Sequence, residues 1–405
     1  MSQTAYGEFN LALTGTMLIH MFSSGPLGQA ATRYFAHANE TRAIKPYAEA
    51  LFQIGGLVTA IVLLASLAGS AVLAALHLNQ RIPTVFWWLI YSVLYSAITV
   101  CDAVQSGARQ RSISAIHQAA SQWLRPLFAL FTLTVAGSTC DSALAGFAAA
   151  NILVFLSQVF FLRRTLYRDY TESPEALPGQ VREYRELLYR YAWPFASYGI
   201  LAWTQFASDR WLLDFFRGPQ SVAVYSVSYQ LGYQPMNLIT AALSAFLSPI
   251  LFQIAGGGGD PERVRRATRW NWAHVYGLLG VTVVAALVAG LMRHLLFRLL
   301  AAPSYAAYSG DLPIMVAAGG LFACGQALTM MFFLGADSGA IVGPKVAASV
   351  VGVVLNYIGS RYFGIRGAVV ATFLFSAIYA GIVALQVLRW SAAQRLRWSA
   401  ALGAS

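Results

Sequence analysis

Lysine is nearly absent from this chain. Lys45 and Lys345 are the only two in 405 residues, so arginine carries almost all of the positive charge. Charge of either sign is scarce, at 11% of residues, against about 25% in a soluble domain. That shortage excludes a soluble catalytic domain. Cysteine is scarce too. Cys101, Cys140 and Cys324 are odd in number, sit in apolar surroundings and lack metal-like spacing, so no disulfide framework is implied. A phosphate loop is also missing. The glycine run at 256–259 continues into Asp260-Pro261-Glu262, where Gly-Lys-Ser/Thr would be needed. The run reads as a hinge, with Asp260 as the cap and Pro261 as the first position of the next helix. The start, Met1-Ser2-Gln3-Thr4-Ala5-Tyr6-Gly7-Glu8, lacks the basic region of a cleavable signal peptide.

What remains is apolar. Hydrophobic residues make up 58% of the chain, and the mean hydropathy is +0.57. A membrane-spanning helix needs roughly 20 apolar residues. Eleven segments qualify: 9–32, 51–77, 83–104, 116–137, 142–162, 192–214, 221–253, 270–292, 312–335, 341–360 and 365–388. The expected fold is an all-α integral membrane protein. The net charge of +11 is then a topology signal and calls for no nucleic-acid partner. If the first loop and every second loop after it are cytoplasmic, that side collects 19 of the 27 basic residues. The exceptions are Arg81, Arg125, Arg210, Arg217, Arg293, Arg298, Arg361 and Arg366. This bias puts the N-terminus outside and the C-terminus inside. The long inside loop 163–191 is split by Pro174 and Pro178. Its second half reads either as an amphipathic surface helix or as a solvated linker between two lobes.

The chain is organised around 192–254, two apolar helices joined by the turn Phe215-Phe216-Arg217-Gly218-Pro219-Gln220. The first ends in Gln205, Ser208, Asp209 and Arg210. The second carries Ser226, Gln230, Tyr233, Asn237, Thr240, Ser244 and Ser248, a polar stripe at helical spacing, with Gln234 beside it. Such a stripe on an otherwise apolar helix points to an aqueous cavity or a polar bundle interior, and the glutamines and asparagine on or beside it favour the cavity. The bland alternative is hydroxyls bonded to their own backbone. Arg125 lies mid-helix on a face with Gln118, Ser121 and Gln122, and Pro126 follows it. An arginine at that depth costs at least about 2.5 kcal/mol unless water or a partner serves it. It contacts an anionic group or is locked structurally to Asp102 or a carbonyl. Asp209 faces the cavity or the interface; Arg210 snorkels to the interface or joins it. His20, near Thr16, Ser23 and Ser24, either couples protons or is satisfied by a neighbour. Asp102 and Asp337 read as interfacial, and Trp87 and Trp88 as interface anchors. Gln205, Gln230, Gln234 and Asn237 suit sugar hydroxyls or one another.

The two halves repeat. Tyr6-Gly7-Glu8-Phe9-Asn10 lines up with Val222-Ala223-Val224-Tyr225-Ser226, and four later segments pair in turn, leaving 192–214 without a partner. A parallel repeat then expects one more helix before Tyr6, and it expects the site where elements of the two lobes face each other. The division read is an N-terminal lobe at 1–170, a cytoplasmic linker at 171–191 and a C-terminal lobe at 192–405.

Tyr6-Gly7-Glu8-Phe9, the kinked Gly25-Pro26-Leu27-Gly28 and Arg33-Tyr34 resemble the second helix of bacterial polysaccharide flippases. So do Gly218-Pro219 and Val222-Ala223-Val224-Tyr225-Ser226-Val227-Ser228-Tyr229, with the long helix to Ser248-Pro249. The family is that of the O-antigen and capsular oligosaccharide transporters, in the superfamily that includes multidrug and toxin extrusion proteins. The resemblance implies a twelve-helix, two-lobe fold in the bacterial cytoplasmic membrane, here without helix one, which puts transport competence in question. It implies movement of an undecaprenyl-diphosphate-linked oligosaccharide between leaflets, without catalysis or cofactor. It implies membrane lipids and polysaccharide assembly proteins such as a polymerase as partners. The rivals are a drug or cation antiporter, a membrane polymerase or ligase, and a non-transporting scaffold.

Overall fold

A computed structural model describes residues 1–75, 77, 81–172, 177–256, 260–334 and 342–403. Side chains are left undescribed at 165–172, 245, 261, 342 and 393–403. The described chain is helical: α1 (Gln3–Ile19), α2 (Gly25–Glu40), α3 (Ile44–Ala75), α4 (Ile82–Gly107), α5 (Arg111–Val135), α6 (Cys140–Glu172), α7 (Pro178–Arg217), α8 (Pro219–Ser228), α9 (Gln234–Ala255), α10 (Pro261–Leu300), α11 (Leu312–Leu334), α12 (Val342–Ile358) and α13 (Gly364–Gly403). α1 with α2, and α8 with α9, each form one rod through a π-turn. The rods therefore number eleven and follow the eleven expected segments. Six stretches of described helix are long and apolar enough to cross a membrane, one of them, Gly343–Ala392, taking in both α12 and α13, and the bent rod at 219–255 makes a seventh. The rods that fall short are α1–α2, α5 and α7. They carry His20, Arg125, Asp209 and Arg210 among their polar residues.

The π-turns inside these two rods share a cause, unlike a third at Gly359–Phe363, which Gly364 follows. Gly25 donates to the His20 carbonyl and Gln234 to the Tyr229 carbonyl, five residues back, and a proline follows each, Pro26 and Pro235. Proline has no N–H, and its ring collides with the carbonyl four residues earlier, so the helix widens ahead of it. α1 has 17 residues before its turn and α8 has ten. Matching the prolines therefore shifts the repeat by seven residues, two helical turns, from the alignment of the opening stretches.

The chain divides into two compact units, Met1–Trp203 and Thr204–Ser405, with the boundary inside α7. In the first unit, α5 and α6 approach so closely that a Cβ at Gly146 would lie 2.6 Å from the Ala129 backbone. α2 meets α4 where Thr32 donates to the Ala103 carbonyl at 3.0 Å. Trp203 donates to the Thr14 carbonyl at 2.7 Å, and Gly199 rests on the Met21 backbone. The segment 181–188 packs its apolar face, Val181, Tyr184 and Leu188, onto Phe35, Tyr47 and Leu51. Trp88 turns inward as well, donating to the Ala12 carbonyl at 2.8 Å, so it joins α1 to α4. α3 faces outward, with Phe52, Leu57 and Leu64 exposed. Such surface suits acyl chains, which solvate it as well as a protein core would.

In the second unit α11 is the central helix. Its small residues let neighbours come close: Gly319 meets the Tyr233 backbone, Gly320 meets Thr282 and Gly325 meets the Tyr379 ring. Small residues at helix contacts maximise packing where lipid removes the hydrophobic drive. α12 and α13 form a hairpin closed at Gly364, whose φ of +63° suits glycine. Asp260 caps α10, accepting from the Glu262 and Arg263 amides, as its sequence position implied. Asp337 and glycines 257–259 lie outside the described residues.

Candidate functional site

Among the described residues the first unit holds one buried guanidinium. Arg125, fifteen residues into α5, is 9% exposed. Its Nε donates to Asn151 Oδ1 of α6 at 2.9 Å. Its guanidinium lies 4.9 Å from the ring centre of Tyr95 and 5.9 Å from that of Tyr91, one helical turn apart on α4. The ring faces are negative and attract the cation. No carboxylate pairs with Arg125 among the described residues. Asp102, its expected lock, is engaged elsewhere: it accepts from Ser114 and, at 2.6 Å, from Gln118. Arg125 has five N–H donors in a planar fork, and Asn151 takes only one. Beside it, Asn151 Nδ2 and, one turn back on α5, Ser121 Oγ are buried without a protein partner. His20 bonds to Ser24 at 3.1 Å and stands edge-on to Tyr95 at 5.4 Å, so Tyr95 lies between His20 and Arg125. Gln122 is exposed.

The second unit holds a neutralised one. Asp209 and Arg210 of α7 are 5% and 8% exposed. Asp209 Oδ1 accepts from the Arg210 amide at 2.7 Å and from Arg210 Nη1 at 3.2 Å, and Oδ2 accepts from the Tyr225 hydroxyl. Tyr225 also bonds to Thr372 at 2.8 Å. Arg210 lies 4.3 Å from the ring centre of Tyr229, and its Nη1 donates to the Phe206 carbonyl at 3.0 Å. Arg210 therefore does not snorkel. Its charge is met inside the unit. Gln205, Asp209, Tyr229, Asn356 and Thr372 line a cavity of about 10 Å³, room for one water at most. Gln205 accepts from Ser349 at 3.2 Å.

The stripe on 221–253 does not stay on one face. Ser226, Tyr233 and Thr240 are buried in the unit, while Gln230 and Gln234 are exposed. Asn237 donates to the Tyr233 carbonyl at 3.1 Å, Thr240 to the Met236 carbonyl at 2.8 Å, and Ser248 to the Ser244 carbonyl. Ser226, Tyr233 and Thr240, seven residues apart, stay buried from one side of the π-turn to the other, so the split lies between this line and the two exposed glutamines.

Asn151, Tyr91 and Tyr95 were not singled out in the sequence, nor was a contact of Tyr225 and Tyr229 with Arg210. Two signals were present: Tyr91 with Tyr95, and Tyr225 with Tyr229 and Tyr233, recur at four-residue spacing and so share a helix face. The two arginine–tyrosine clusters are not equivalents of one another. In the repeat the α5 segment pairs with α12, whereas Arg210 lies on the unpaired α7.

A family model described as "Polysaccharide biosynthesis protein" matches residues 1–255. No curated protein matches the chain. Solved structures match it along nearly its whole length. An inward-facing multidrug resistance MATE family transporter of the MOP superfamily aligns with a TM-score of 0.70 at 14% identity, covering 97% of this chain and 96% of that one. The Vibrio cholerae MATE transporter VcmN in its bent form gives 0.56 at 17% identity, covering 96% and 89%. A MOP superfamily transporter from Pyrococcus furiosus, whose binding pocket is described as of reverse polarity, gives 0.60 at 13% identity, covering 97% and 88%. At these identities the likeness is one of fold.

Proposed function

The chain belongs to the polysaccharide biosynthesis protein family and has the fold of MOP-superfamily transporters; from that premise we propose that it moves a lipid-linked oligosaccharide across the bacterial cytoplasmic membrane. The cargo joins a hydroxyl-rich sugar, a diphosphate and a polyprenyl tail. No covalent bond changes in the transfer. What the protein must supply is a cation for the diphosphate at membrane depth and polar groups for the sugar.

The observation that carries the reading is the contrast between the two buried arginines. Arg210 is neutralised by Asp209. Arg125 has a ring face and one amide but no carboxylate. A buried charge without a counter-charge costs several kcal/mol, so its retention calls for a ligand that supplies the charge. A planar fork with unused N–H donors suits phosphate oxygens. The antiporter reading asks for a free buried carboxylate at membrane depth; Asp209 and Asp102 are engaged, and the buried Asp311 lies at the loop end of α11 with Arg366 at 4.0 Å. The test is genetic. Arg125→Ala should abolish surface polysaccharide while the protein remains in the membrane, and Arg125→Lys should retain part of it. Unchanged polymer in Arg125→Ala would remove Arg125 from the mechanism.

A further inference from the structure

Five of the eight arginines that break the inside bias, Arg217, Arg293, Arg298, Arg361 and Arg366, gather at one end of the second unit. On the charge-based topology this end faces outside. Contacts place four of them, all but Arg298. Arg217 donates through Nη2 to the Arg361 carbonyl at 2.9 Å and through Nε to the Ser360 carbonyl at 3.3 Å, tying the end of α7 to the α12–α13 turn. Arg361 Nη1 donates to the Tyr357 hydroxyl at 2.6 Å, and its guanidinium lies 5.8 Å and 5.5 Å from the ring centres of Tyr357 and Tyr362. Arg366 approaches Asp311 at 4.0 Å yet stays 81% exposed, while the Asp311 side chain is 8% exposed. Arg293 donates to His294 at 3.3 Å, and His294 bonds to Ser309, two residues from Asp311. In these stretches only Asp214 and Asp311 are acidic. Phe215, Tyr362 and Phe363 are exposed beside the arginines.

We propose that this end of the second unit binds the phosphate of a membrane-lipid head group, with Arg361 and Arg366 as the main contacts and Arg293 beside them. Arg361 is held through one N–H, so the rest of its fork stays open. Exposed rings at the level of a basic cluster mark the depth of lipid head groups. Five arginines against two aspartates leave an excess that an anionic head group would meet. The inference does not rest on the transport reading, because a chain that moved no cargo would still collect lipid here.

The test uses purified full chain in detergent, titrated with phosphatidylglycerol, phosphatidylcholine or inorganic pyrophosphate and followed by native mass spectrometry and thermal shift. Phosphatidylglycerol should bind and stabilise, with the zwitterionic lipid weaker. Each arginine lost should weaken binding about fivefold, so the triple variant Arg293→Gln, Arg361→Gln, Arg366→Gln should bind about 100-fold more weakly. Arg366→Gln alone, at an exposed position that leaves the fold intact, should show the fivefold loss. Arg265→Gln, Arg266→Gln, Arg269→Gln at the opposite end should change little. Full affinity in the first triple, or an equal loss in the second, overturns the site. Pyrophosphate binding as tight as the lipid's, with the same losses, overturns a lipid as its source.

Discussion

Replacing each buried arginine by leucine should affect stability in opposite ways. In the second unit Arg210→Leu leaves Asp209 buried with only Tyr225 and a backbone amide to stabilise it. Breaking a buried pair in this way costs about 3–5 kcal/mol. For a body of about 200 residues each kcal/mol is worth roughly 2–4 °C, so the melting temperature should fall by roughly 6–20 °C. In the first unit Arg125→Leu loses one charged hydrogen bond, worth about 1.5–3 kcal/mol, and a ring contact of about 0.5–2 kcal/mol. It also removes an unneutralised cation, whose burial costs at least about 2.5 kcal/mol. These effects nearly cancel. Adding Asn151→Leu removes the amide left without its partner and should bring the double variant to wild-type stability or above. Melting of purified protein in detergent gives the first comparison, and surface polysaccharide in a deletion strain gives the second. Arg125→Leu should be stable and inactive. An equal loss of stability in both leucine variants would refute the claim that Arg125 lacks a charge partner.

Other outcomes follow from the packing. Gly146→Val should destabilise the first unit by more than about 2 kcal/mol, read by melting, because its side chain would enter the α5 backbone. Gly55→Ala and Gly56→Ala meet open space on α3 and should each raise stability by up to about 1 kcal/mol in the same assay. Deleting the gene should leave drug susceptibility unchanged in growth assays; a clear change would favour an antiporter.

The eleven rods could be read because lipid demands long apolar runs, but their polar ends could not: α7 starts 14 residues before the expected segment and α13 runs 15 beyond it. Cap chemistry was legible too: Asp260-Pro261 states its own geometry. Side-chain partners were not. Asn151 lies 26 residues from Arg125 in sequence, and only the packing of α5 on α6 brings them together. Arg210 reads as interfacial from its place near a helix end, but the adjacent Asp209 and the tyrosines of α8 keep it inside. The π-turns had a local cause that the sequence did announce: Pro26 and Pro235 each predict a broken hydrogen-bond ladder just ahead of them.

The central claim is that this chain carries lipid-linked oligosaccharide between leaflets, with Arg125 meeting the diphosphate. Proteoliposomes holding the full chain and a radiolabelled polyprenyl-diphosphate oligosaccharide test it most directly, through the fraction of label that becomes accessible to a glycosidase added outside. The account predicts time-dependent transfer that exceeds protein-free vesicles and drops to their level with Arg125→Ala. Transfer no faster than in protein-free vesicles, or transfer unaffected by Arg125→Ala, would contradict it.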